Sequence, residues 1–71
     1  MDFSISRGKQ GLIICEDDFG VITFEPPRNP SGSLDRDCII DIEGGIDLAA
    51  MDGWLDSAVA AVKIWLSPGR S

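Results

Sequence analysis

Residues 51–66, MDGWLDSAVAAVKIWL, form the single stretch of this chain with helical hydrophobic periodicity. Stepped at about 100° per residue, Met51, Trp54, Leu55, Ala58, Val59, Ala61, Val62, Trp65 and Leu66 fall within one arc about 160° wide. Asp52, Gly53, Asp56, Ser57 and Lys63 take the rest, with Ala60 and Ile64 as apolar exceptions. A helix resting on one sheet needs a stripe little more than about 100° wide. The surplus edge is Trp54, Ala58, Ala61 and Trp65, and it is a candidate apolar docking edge for a partner or a second copy. The remaining arc, with Leu55, Val59, Val62 and Leu66, covers a sheet.

The chain before that helix is built of short strand-like runs. Residues 2–7 alternate, with Phe3 and Ile5 on one face. Gly8, Lys9, Gln10 and Gly11 make a turn, and 12–16, LIICE, read as a central strand. Asp17 and Asp18 open a turn that Gly20 completes. Residues 21–25, VITFE, are a third strand with Ile22 and Phe24 on one face. Pro26 and Pro27 end it, and 26–34 is a proline-stiffened loop with Arg28 at its centre. Residues 36–43, RDCIIDIE, predict a fourth strand with Cys38, Ile40 and Ile42 turned to the core. Asp37, Asp41 and Glu43, with Ile39 among them, are turned away. Gly44-Gly45 separates this run from 46–49, which is either a short fifth strand or an extended lead-in to the helix. Asp52 is the favoured N-cap; the rival start lies at Asp47, and Gly53 favours the later one. Ser67, Pro68 and Gly69 stop the helix.

The expectation is therefore one α+β domain spanning 1–71: an antiparallel sheet of four to five strands with one C-terminal helix packed on one face. Its predicted core is Phe3, Ile5, Ile13, Cys15, Ile22, Phe24, Cys38, Ile40, Ile42, Leu55, Ala58, Val62 and Leu66. A one-residue change of side at 12–15 would bring in Leu12 and Ile14 instead. At 71 residues the core is thin, so an oligomer or a permanent partner is in keeping with the size.

Charge narrows the function. The net charge is −6. Seven acids (Asp35, Asp37, Asp41, Glu43, Asp47, Asp52 and Asp56) and one base, Arg36, lie between 35 and 56, while the acids and bases elsewhere cancel. With no basic stripe, direct binding to nucleic-acid phosphates or to an anionic membrane is disfavoured. Acids at alternate strand positions stand about 6–7 Å apart, a spacing suited to basic groups that normally hold a phosphate chain. These seven acids are the candidate partner-binding surface.

Chemistry is argued against by what is missing. The chain has no His and no Tyr, which removes His general bases, His metal ligands and nucleophile–His pairs. Cys15 is followed by three acids and Cys38 sits beside Asp37, so neither thiol is placed for attack. Two Cys without His do not close a zinc site, and the acids lack the spacing of a calcium loop. Gly8-Lys9 lacks the Ser or Thr and the upstream Gly of a phosphate loop. Asp18-Phe19-Gly20 spells the kinase metal-binding tripeptide without the rest of a kinase. The expectation is a protein that is not an enzyme, with no catalytic residues, no metal and no cofactor. The first twenty residues carry no basic-then-apolar leader and no run reaches membrane length, so a cytoplasmic protein with reduced cysteines is expected.

In size, acidity and sheet-plus-helix layout, the chain resembles the small acidic proteins that phages encode against bacterial defence complexes, the anti-CRISPR proteins. The resemblance includes no motif and carries over no individual residue. It implies an inhibitor that imitates nucleic acid and presents its acidic surface to a basic protein partner. The alternative is a self-associating structural or accessory subunit, a homodimer built on the Trp-edged helix face.

Overall fold

The computed structural model describes residues 3–27 and 34–67. Most of the loop predicted at 26–34, including Arg28, lies outside them, as do Pro68 and Gly69 of the predicted helix stop. The strands are β1 (Ser4–Arg7), β2 (Ile13–Glu16), β3 (Gly20–Phe24) and β4 (Ile39–Gly44), followed by the helix α1 (Leu48–Leu66). The sheet is antiparallel throughout, in the order β1-β2-β3-β4. The α+β class with four strands and one C-terminal helix is thus as the sequence predicts.

The register shows which face the helix covers. Ile5 pairs with Cys15, Cys15 with Ile22, and Ile13 with Phe24. Directly paired residues share a face, and this face is buried: Ile13, Cys15, Ile22 and Phe24 are fully covered and cluster with Leu34, Trp54, Ala58 and Val62. The choice of Ile13 and Cys15 over Leu12 and Ile14 is therefore correct. Trp54, Ala58 and Val62 stand four residues apart and form one line along the helix. Phe3, Ile5, Cys38, Ile39, Leu55, Val59 and Leu66 pack around this centre, half-buried.

Two expectations about β4 are overturned. Ile40 is 51% exposed and Ile42 is 38% exposed, so neither is core. The strand also starts at Ile39 instead of 36, because Arg36–Cys38 forms a single 3₁₀ turn. The Asp35 carboxylate accepts from the Asp37 backbone N–H at 2.9 Å, which holds that turn closed. Phe24 then pairs with Ile39 and Thr23 with Asp41, leaving Ile40 in a bulge. Ile39 faces the core in its place. Ile42 pairs with buried Ile22, yet it lies on an outer strand. A helix about 10–12 Å across spans little more than two strands spaced about 4.8 Å apart. The buried sheet residues all belong to the two central strands.

The helix starts at Leu48, with Asp47 in the N-cap position, so the later start at Asp52 is wrong and 46–49 is not a fifth strand. Ala49, Ala50 and Met51 are strong helix formers and outweigh the cost of Gly53. The Asp47 side chain makes no capping hydrogen bond; its carbonyl accepts from Ala50 N–H at 3.0 Å.

Candidate functional site

Asp17 is the first residue to build from, because it joins the sheet to the helix. It directly follows β2, and its backbone N–H donates to Gly20 O at 3.0 Å. One carboxylate oxygen accepts from Phe19 N–H at 2.9 Å and from Gly20 N–H at 3.3 Å. The other accepts from the Trp54 indole Nε1–H at 3.0 Å. One carboxylate thus sets both the turn that carries Phe19 and the rotamer of Trp54. An indole N–H that enters a core needs such a partner.

Phe19 and Trp54 are two walls of a cavity of about 610 Å³ at the end of the sheet where the helix begins. Phe3 supplies a third ring, and 45–47 close the side. Ala50, Gly53 and Ser57 present small side chains to the cavity from the helix. A Cβ built on Gly53 would meet nothing within 4 Å, so the cavity is open there. Among the described residues, Asp47 is its one charged lining residue.

The seven predicted acids are all exposed, but they do not form one face. Asp41 and Glu43 pair with Thr23 and Val21, which puts them on the sheet face opposite the helix. Asp37, expected in line with them, stands in the 3₁₀ turn with Asp35. Asp47, Asp52 and Asp56 belong to the helix layer. Arg36 clasps two of these: its Nε and Nη2 donate to Asp56 Oδ1 at 3.0 and 2.7 Å, and its Nη1 donates to Asp52 Oδ1 at 3.1 Å. Nη2 also reaches the Asp52 carbonyl at 2.9 Å. Those bonds hold the guanidinium pKa above its ordinary value and pin the 3₁₀ turn to the helix. Among the described residues, Asp35, Asp37, Asp41, Glu43 and Asp47 are in no ion pair.

The predicted apolar edge divides. Trp54 is 5% exposed and Ala58 fully buried, so both are interior residues of this chain, because the helix rolls that edge onto the sheet. Ala61 is half-buried and Trp65 is 40% exposed, with the Arg7 guanidinium 5.2 Å from its ring centroid. Sequence reasoning missed Asp17 as a link, Leu34 as core, and Phe3, Phe19 and Gly53 as cavity walls. Asp17 was legible only as a turn residue; its reach to position 54 has no local signature.

Comparison with protein-family models, curated proteins and solved structures returns no match. Among the described residues no three His, Cys, Asp or Glu converge as metal ligands, and no helix is long and apolar enough to cross a membrane.

Both cysteines are free. Burial, with the Asp17 charge second, pushes the Cys15 thiol up to about 11 from an ordinary 9.0. The raised value means the folded state holds the proton longer than the unfolded chain. Its contribution to stability is full below about pH 9 and is lost as pH rises toward 11. A shift of this size corresponds to up to about 3 kcal/mol. Urea unfolding at pH 8 and pH 11 should show that loss in the native chain and a smaller one in Cys15→Ala. Equal losses in both would remove Cys15 as the cause.

Proposed function

We propose that the chain is a small, non-enzymatic protein-binding inhibitor or modulator of the anti-CRISPR-like kind, presenting acidic surface to a basic, nucleic-acid-binding protein. The observation that supports this most is the state of its charges. Arg36, the one base between 35 and 56, is already spent on Asp52 and Asp56. Among the described residues, Asp35, Asp37, Asp41, Glu43 and Asp47 are exposed and uncompensated by any ion pair. Such uncompensated surface charge favours an oppositely charged partner and speeds its docking.

Purified chain should capture its partner at low salt and release it as ionic strength rises, because exposed charges are screened over about 8–10 Å at 0.1–0.15 M. A duplex oligonucleotide should compete for the same partner surface. The triple variant Asp37→Asn, Asp41→Asn, Glu43→Gln should bind about tenfold or more weakly at low salt. Unchanged affinity in that variant, or indifference to the oligonucleotide, would reject the reading.

Self-association is the competing use of the surface, and Ile64 and Trp65, exposed in the last helical turns, are what favour it. The open edge of β4 is a poor homodimer contact. Symmetric antiparallel pairing there would set Asp41 and Glu43 against the same acids of the second copy. Sedimentation at high protein concentration separates the two: a strict monomer rejects the subunit reading.

A further inference from the structure

We propose that the cavity between Phe3, Phe19 and Trp54 is a receptor for an arginine side chain carried on a basic peptide segment of the partner. This inference deepens the acidic-surface reading above and rests on it for the identity of the partner. The cavity itself supplies the chemistry. Three of the five aromatic residues of the chain line it, and among the described residues Asp47 is the single charged group that does. The Asp17 carboxylate stands beside the cavity, where it accepts from the Trp54 indole N–H. The nearest described arginines are engaged elsewhere, Arg7 over Trp65 and Arg36 on Asp52 and Asp56.

An aromatic-walled hollow with a carboxylate in its lining selects a ligand that is apolar along its stem and cationic at its tip. Arginine meets that description best, since its planar guanidinium stacks on aromatic rings and bonds a carboxylate through a fork of donors. A neutral apolar side chain would leave Asp47 without a counter-charge. A volume of about 610 Å³ falls in the range of cavities that take small ligands and has room for the flanking backbone of an extended segment. The hollow is also held in shape before any ligand arrives. Asp17 fixes Phe19 and Trp54 together, so little order has to be gained on binding.

The test uses the full chain in a Trp65→Phe background, which leaves Trp54 as the only tryptophan and so as the fluorescent reporter. The probe is a capped hexapeptide with two arginines, run beside the same peptide with citrulline, which keeps the shape and removes the charge. The arginine peptide should change Trp54 emission in a saturable way, and the citrulline peptide should bind about tenfold or more weakly. Gly53→Phe fills the hollow from the helix and should abolish binding. Gly53→Leu repeats the test with a smaller group, and circular dichroism checks that each variant is folded. Asp47→Asn should weaken binding about threefold to tenfold. Native-like binding by Gly53→Phe and Gly53→Leu, or by the citrulline peptide, overturns the proposal.

The same variants separate this inference from the reading it rests on. Loss of partner binding in the Asp37, Asp41, Glu43 triple variant alone would keep the acidic surface and reject the cavity. Loss in the Gly53 variants alone would keep the cavity and reject the surface.

Discussion

Trp54→Ala should leave the chain largely unfolded at 37 °C. Removing a buried Trp costs about 3–5 kcal/mol through lost burial and the cavity left behind. A domain of this length has roughly 4–10 kcal/mol of stability in all, and the low end is usual for so thin a core. Among the described residues, Trp54 is one of eight that are buried and makes the single hydrogen bond from the helix to the β2–β3 turn. Its loss therefore removes packing and also releases the carboxylate that sets Phe19. Trp54→Phe separates the two effects. It keeps a ring in place and gives up only the indole N–H, at a cost of about 1–3 kcal/mol. Urea titration followed by far-UV circular dichroism should give the order native, Trp54→Phe, Trp54→Ala. An alanine variant within about 1 kcal/mol of the native chain would show that Trp54 is not the centre of the core.

The position of Trp54 also shows what kind of information the sequence holds. Strand identity was legible because alternation is local: Ile13 with Cys15, and Ile22 with Phe24, announce their shared face within a few residues. The helix was legible for the same reason, from a repeat near 3.6. The rotation of the helix was not. Its apolar arc is wide enough for several placements, and the one observed, with Trp54, Ala58 and Val62 as the buried line, is the one in which Asp17 accepts the indole N–H across a separation of 37 residues.

The fourth strand failed for a different reason. Cys38, Ile40 and Ile42 alternate as a strand should, but the Asp35 carboxylate offers the backbone a competing local bond and turns 36–38 out of extended form. One residue of bulge then moves Ile40 out and Ile39 in. The acidic site inherits that change. Asp41 and Glu43 keep their strand spacing, Asp37 leaves the line, and Arg36 goes to the helix carboxylates instead of remaining an unpaired base. Charge content was therefore readable from the sequence, whereas charge arrangement depended on a turn and a long side chain.

Gly20→Val should be the most damaging change in the sheet, and a comparison of two glycines shows why. Gly20 and Gly44 are directly paired across β3 and β4. A Cβ on Gly20 would run into the Glu43 carbonyl oxygen and come within 2.7 Å of Gly44 Cα. A Cβ on Gly44 would collide with the Phe19 carbonyl oxygen and stand 2.8 Å from Gly20 Cα. All of these obstacles are backbone, so no rotamer change relieves them and the strands must part. Overpacking costs about 1–3 kcal/mol where side chains can adjust, and more where they cannot. Gly20→Ala should already lower the urea midpoint sharply, and Gly20→Val should prevent folding. Parting the strands here would also strain the bond from Gly45 N–H to Phe19 O, 3.1 Å long, and so shift a cavity wall. Gly53→Ala makes the same chemical change nearby with the opposite sign. Its new methyl enters open space on a helix, where alanine is favoured over glycine by about 1 kcal/mol. Thermal melts of the two alanine variants should move in opposite directions. If Gly20→Ala melted with the native chain, the close approach of β3 and β4 at this pair would be refuted, and with it the placement of Phe19 beside the cavity.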